Sequence, residues 1–346
     1  MKTSNFWKKT PVRVISAIVL FVVFISAIIF VVSYPYTKIY SNSNNYDTAF
    51  IGASQTQKAI DPEIVDDELE SKSYVLATVR CTMQGRIDQL EKALQQDSLK
   101  TVVLDVSHYC LTSTFNEWVT LDDRVVYFSK ISGVFNRADI AFKSFNFFDD
   151  EHDRLFAEMI YEGLSIWKDI FNGEYEKISS RRGYSPKKSE DQSFTKKQAI
   201  KKYNSVNLNE EYPFDESNEK YIQQIIDICK ENDVQLIIVT LPLSESLIWR
   251  KDGWQYGTDW LTSLCSKNDV PYFDFNLIKN RSDYFDDSYS FSDEEHLSKK
   301  GSKVMSKIIS DTIYSVNENT ELPYEFYENY KEAKENSTYA KMISEN

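Results

Sequence analysis

Histidine is scarce in this chain of 346 residues: His108, His152 and His296 are the whole supply. Any chemistry that needs an imidazole must draw on one of them. The four cysteines, Cys81, Cys110, Cys229 and Cys265, fall at spacings that fit no zinc pattern, and three scattered histidines do not complete one, so no metal site is expected. Glycine is sparse and never gathers into a phosphate-cradling loop, and no stretch repeats. Nucleotide chemistry and repeat architectures are left without support, and no cofactor is expected. Basic residues number 40 against 53 acidic, a net charge of −13, which argues against nucleic acid as a partner over most of the surface.

What is present begins with a long apolar run. Val14 to Ser33 carries no charge and is mostly Val, Ile, Phe and Ala. At ~1.5 Å per helical residue it is long enough to cross a hydrocarbon core of ~30 Å. Lys8, Lys9 and Arg13 precede it, and the first charge after it is Lys38. That asymmetry keeps the N-terminus cytoplasmic and sends the remainder outside. Trp7 and Tyr34 with Tyr36 fall at the two interfaces. The run exceeds a usual signal-peptide core and no Ala-x-Ala site follows, so residues 1–36 read as a single-pass plasma-membrane anchor. Residues 37–47 are polar and read as a stalk. Outside the cell, an even number of cysteines permits two disulfides. Cys229 and Cys265 also lie on apolar helical stripes, where buried free thiols fit at least as well.

The next stretch, Thr48-Ala-Phe-Ile-Gly-Ala-Ser54, runs a short apolar strand into a glycine turn that ends on a serine. Gly52 allows a sharp exit, and Asp61-Pro62-Glu63 reads as N-cap, first residue and first-turn acid of a helix. Ser54 then stands past a strand's carboxyl end, where open α/β sheets place their ligands. This makes it a candidate nucleophile, although a serine in a turn also commonly bonds its own backbone.

His296 is the best partner. In Phe291-Ser-Asp293-Glu-Glu-His296-Leu-Ser298-Lys-Lys-Gly301, an Asp three residues before a His lets one turn of chain present both. The carboxylate would fix the tautomer through Nδ1 while Nε2 faces the serine hydroxyl. The bland alternative is an acidic approach to the amphipathic helix bearing Val304, Met305, Ile308, Ile309 and Ile313, with a surface histidine.

Between these motifs, strands and helices alternate. Strands are expected at 73–77, 101–106, 233–240 and 270–275, with helices at 83–94, 219–232 and 254–267, giving an α/β fold: a three-layer, doubly wound parallel sheet. An insertion from about 111 to 215 is too long for a plain crossover. It holds a helical stripe through Leu155, Phe156, Met159, Ile160, Leu164, Trp167, Ile170 and Phe171, then a basic cluster from Arg181 and Arg182 to Lys202. The cluster either attracts an anionic polymer or lipid headgroups or is a solvated loop. The domain is placed at 37–315, followed by an acidic tail at 316–346, helical or partly disordered. Gln55 beside the nucleophile, His108 at a strand end and Trp254 near the active edge are candidate substrate contacts, with core packing the default for Trp254 and a packed or partly exposed strand-end residue the other reading of His108.

The Gly52-Ala-Ser54 opening, the Ala59-Ile-Asp-Pro62 run and the Asp293-x-x-His296-Leu-Ser-x-x-Gly301 motif together resemble the SGNH/GDSL-like hydrolase superfamily. Within it they look like the membrane-anchored branch of DltD and the alginate O-acetyltransferase proteins. The resemblance implies a flavodoxin-like sheet, a serine esterase or O-acyltransferase with Ser54, Asp293 and His296 as the triad, and an oxyanion hole from Ser54 and Ala77. That family's Gly-x-Asn-Asp motif is missing at the third strand, leaving Ser107 or His108 in its place. The resemblance also implies a bacterial cell-envelope glycopolymer, such as a teichoic acid, as acceptor and a multi-pass membrane acyltransferase as partner. A surface carbohydrate esterase and a non-catalytic glycan-binding scaffold are the alternatives.

Overall fold

The computed structural model describes residues 6–41, 45–79, 81–111, 167–168, 170–173, 180–186, 218–249, 253–287, 289–337 and 339–341. A 36-residue helix, α1 (Phe6–Ser41), leads the chain. Its side chains are described without a break only over 13–28, a shorter stretch than the roughly 20 apolar residues a membrane needs. Among the described residues, then, no helix is long and apolar enough to cross a membrane. Those side chains are largely exposed, from Val14 and Ile15 through Phe24.

The domain follows as β1 (Thr48–Ile51), α2 (Ser54–Ala59), α3 (Pro62–Leu69), β2 (Ser73–Val75), α4 (Met83–Ala93) and β3 (Thr101–Asp105). After the insertion come α5 (Asn218–Glu231), β4 (Gln235–Thr240), α6 (Glu245–Ile248), α7 (Trp254–Asn268), β5 (Tyr272–Asp274), α8 (Arg281–Tyr284), α9 (Lys299–Glu318) and α10 (Tyr330–Asn336). The five strands are all parallel in the order β2-β1-β3-β4-β5. The chain starts inside the sheet, winds outward to β2, then reverses to β3, β4 and β5. That reversal, between β1 and β3, is the crevice where such sheets bind ligands.

Strand residues alternate between two cores. Ala49, Ile51, Val102, Leu104, Leu236 and Ile238 pack against Leu90 of α4, Ile225 of α5 and Leu261 of α7. Phe50, Val103, Ile237 and Val239 face the other way, toward Val65 of α3 and Met305, Ile308, Ile309 and Ile313 of α9. Burial on both faces is why these strands read as continuous apolar runs. The expected three layers are present. All four cysteines are buried free thiols, so neither disulfide forms.

The tail, expected to be helical or partly disordered, carries the helix α10 and packs on the domain. Helix α9 runs to Glu318, and the chain beyond it docks: Tyr330, Ala333 and Tyr339 join a third core with Trp249, Trp254 and Leu277. Tyr330 Oη donates to Asp274 Oδ2 at 2.8 Å, and Trp249 Nε1 donates to Ser337 Oγ at 3.2 Å. Few apolar residues are needed because aromatic rings bury large areas each, so the acidic composition around them misled.

Residues 180–186 of the insertion are also fixed in place. Arg182 pairs with Asp66 and donates to Ser73 O at 3.2 Å, and Val75 N donates to Arg182 O at 2.9 Å. Gly183 has φ +86°, and a Cβ there would lie 1.8 Å from Val75 O, so only glycine fits. Arg182 is therefore spent on an internal partner. The lysines expected beside it, and the helical stripe from Leu155 to Leu164, lie outside the described residues.

Candidate active site

Ser54 opens α2 immediately beyond β1. The preceding turn is tight for a steric reason rather than a positive φ: a Cβ on Gly52 would lie 2.0 Å from Thr56 Oγ1 and 3.0 Å from Asp105 Cβ. Fully buried Gln89 of α4 grips both backbone groups of Gly52. Gly52 N donates to its Oε1 at 2.8 Å, and its Nε2 donates to Gly52 O at 3.0 Å. Thr56 Oγ1 donates to Asp105 Oδ2 at 2.8 Å, tying α2 to the end of β3. Burial pushes the Asp105 carboxyl up from its ordinary range, against the Arg86 guanidinium, the Thr56 hydroxyl and the Leu241 N–H. Arg86 is itself buried, with Nη1 on Met83 Sδ at 3.0 Å. Burial also raises the Cys81 thiol, to about 11, with Arg86 opposing.

The base is held by a hairpin. Ser292 N donates to His296 O at 2.8 Å, Ser298 N donates to Ser290 O at 2.9 Å, and Phe291 bridges Leu297. Ser298 then caps α9, accepting from Gly301 N at 3.2 Å. A Cβ on Gly301 would lie 2.1 Å from Ser290 O. The spacing from His296 to Gly301 is thus that of a hairpin closing directly onto a helix cap.

Asp293 Oδ1 meets His296 Nδ1 at 2.8 Å, and it also accepts the backbone N–H groups of Glu295 at 3.0 Å and His296 at 2.9 Å. A carboxylate takes its proton donor from Nδ1, so Nε2 is left as an acceptor. Nε2 lies 2.8 Å from Ser54 Oγ. Residues 242 positions apart in sequence are therefore joined at the carboxyl edge of the sheet. The loop leaving β4 braces this hairpin. Ser244 N donates to Glu294 O at 3.0 Å, while buried Asp287 accepts from Glu245 N at 3.1 Å and Ser246 N at 3.2 Å. Burial lifts the Asp287 carboxyl to about 6, against the Arg281 charge and those two N–H groups.

The other expected site residues are spread over several elements. Ala77 lies buried beyond β2, flanked by Leu76 N and Thr78 N, which donate to Phe50 O and Gly52 O. By the same alternation the Ala77 N–H faces away from β1. Ser107 is buried just past β3, its carbonyl accepting from Cys110 N at 3.1 Å. Gln55 is buried on α2. His108 begins a 3-10 turn, His108–Leu111, and its side chain lies outside the described residues, as does His152. Trp254 takes the core-packing reading rather than that of a substrate contact: it is buried in the third core and its Nε1 donates to Ile248 O at 2.9 Å. The docked tail packs with it.

Sequence reasoning missed Gln89, Thr56, Asp105, Arg86 and Asp287. Only Asp105, an acid ending an apolar strand, carries a signal a reader could have used. Among the described residues no group of three or more His, Cys, Asp or Glu is placed to hold a metal ion. The sequence matches no protein-family model, and no curated protein matches it either.

Proposed function

We propose that this chain is a membrane-anchored serine acyl-ester enzyme of the SGNH type, acting outside the cell through an acyl-Ser54 intermediate. The observation that carries the reading is the continuous relay from Ser54 Oγ through His296 to Asp293, with 2.8 Å at each step, at the sheet's reversal point. In the first half-reaction His296 Nε2 takes the Ser54 proton as Oγ attacks the carbonyl carbon of an ester or thioester. The tetrahedral oxyanion is met by the Ser54 N–H, which has no intrahelical acceptor at the first turn of α2, and by donors at Ser107. As the intermediate collapses, His296 returns the proton to the departing alcohol or thiol. In the second half an acceptor hydroxyl gives its proton to His296 and attacks the acyl carbon, and as the Ser54 Oγ–acyl bond breaks His296 returns that proton to Oγ. Asp293 holds the imidazole in one tautomer throughout.

An acceptor on a cell-envelope glycopolymer, with a multi-pass membrane acyltransferase as donor partner, is favoured by the resemblance and by the uncharged run of α1. We take α1 to cross the plasma membrane with the N-terminus cytoplasmic. Water as acceptor would make the same site a surface carbohydrate esterase. The relay speaks against a purely binding scaffold, which has no use for an ordered imidazole.

The test is labelling of the full chain with a serine-directed fluorophosphonate. Wild type should label and both Ser54→Ala and His296→Ala should not. A folded wild type that stays unlabelled would sink the proposal.

A further inference from the structure

Pro35 lies inside α1 and carries no N–H, so the Val31 carbonyl four residues earlier has lost its intrahelical donor. A donor arrives from the insertion instead: Trp167 Nε1 reaches Val31 O at 2.8 Å. The same indole stacks on Tyr34 at 6.4 Å, Tyr34 lies 6.0 Å from Phe30, and Phe171 stacks on Trp167 at 5.7 Å. Two remote parts of the chain thus build one ladder of four rings. Its surface is apolar and open: Phe171 is 81% exposed, and Phe30 and Val31 are each 51% exposed. In sequence the stripe continues upstream through Leu164 and Ile160 at helical spacing.

The ladder stands at the outer end of the uncharged run. Rings with one polar atom concentrate at that depth of a bilayer, and toward the hydrocarbon side of it a backbone carbonyl finds its donor most readily within the protein. We infer that Trp167 and Phe171, stacked from Tyr34 of α1 outward, lie in the outer interfacial layer of the membrane, with the phospholipid bilayer as the partner of their exposed face. The inference rests on the proposed anchoring role of α1. The domain then has two membrane contacts rather than one. The indole supplies the donor that the proline removes, and the phenyl rings supply the apolar surface.

The experiment uses the full chain in phosphatidylcholine vesicles with brominated acyl chains, carrying a bimane label on Phe171→Cys or on Val22→Cys. The native thiols are buried. Both probes should lose most of their emission in brominated vesicles. Adding Trp167→Phe, which keeps a ring and removes the N–H, should restore emission at position 171 and leave position 22 quenched. Quenching at 22 alone, with the 171 probe reached by iodide in the buffer, would overturn the interfacial contact and leave the anchor standing. An unquenched probe at 22 would overturn both.

Discussion

The two halves of the relay are held in opposite ways. His296 sits in a hairpin stitched by contacts a few residues apart: Ser292 to His296, Ser290 to Ser298, and Ser298 to Gly301. Ser54 is positioned by side chains brought from far along the chain, with Gln89 on Gly52 across 37 residues and Asp105 on Thr56 across 49. A base held by local backbone bonds tolerates change around it. A nucleophile held by a buried polar network does not, because each lost partner strands another polar group away from water.

The sharpest break of this contrast is at the link between the halves. Asp293→Asn keeps the shape of the hairpin but lets the imidazole adopt the wrong tautomer. It should cut the turnover of an activated ester by about 10³-fold or more, with the melting temperature little changed. Next is Gln89→Leu, which strands the Gly52 N–H and leaves Gly52 O only its bond from Thr78 N; it should cost about 1–3 kcal/mol in denaturant unfolding, with fluorophosphonate labelling slowed as well. Equal stability in wild type and variant would show that the turn holds itself.

Asp287 tests the brace behind the base. Its folded carboxyl, at about 6, lies above the ~3.9 of an unfolded chain. The folded state therefore binds more protons between those values. The stability this contributes is fully present below ~4 and is lost as pH rises through about 6. The excess stability of wild type over Asp287→Asn should accordingly shrink by about 2 kcal/mol between pH 4 and pH 7, read from paired unfolding curves. The smallest effect is expected for Ser298→Ala, the helix cap on the base side, at about 1 kcal/mol with the relay intact. A loss as large as that of Gln89→Leu would erase the distinction between the halves.

The same contrast explains what could be read in advance. The Asp293–His296 pair was legible because both residues fall within one motif, although the hairpin that carries them was not read, and the strands were legible because burial on both faces leaves unbroken apolar runs. Gln89 was not legible: in Met83-Gln-Gly-Arg-Ile-Asp-Gln89 it looks like any polar helix position, and only the fold places it under Gly52. Trp254 failed for the complementary reason. The tail that packs with it was not foreseen, because Tyr330 and Tyr339 are sparse anchors in an acidic stretch.

The clasp of Arg182 and Gly183 on β2 has a consequence for how molecules of this protein meet one another. β2 is the outermost strand on its side, and a bare outer strand offers a row of unpaired amides on which a second chain can template itself. The Val75 N–H is already taken by Arg182 O, and Gly183 lets the backbone lie flush against the strand at that point. The long insertion thus leaves from the middle of the sheet and returns to close its margin, turning a site of self-association into one that is already occupied.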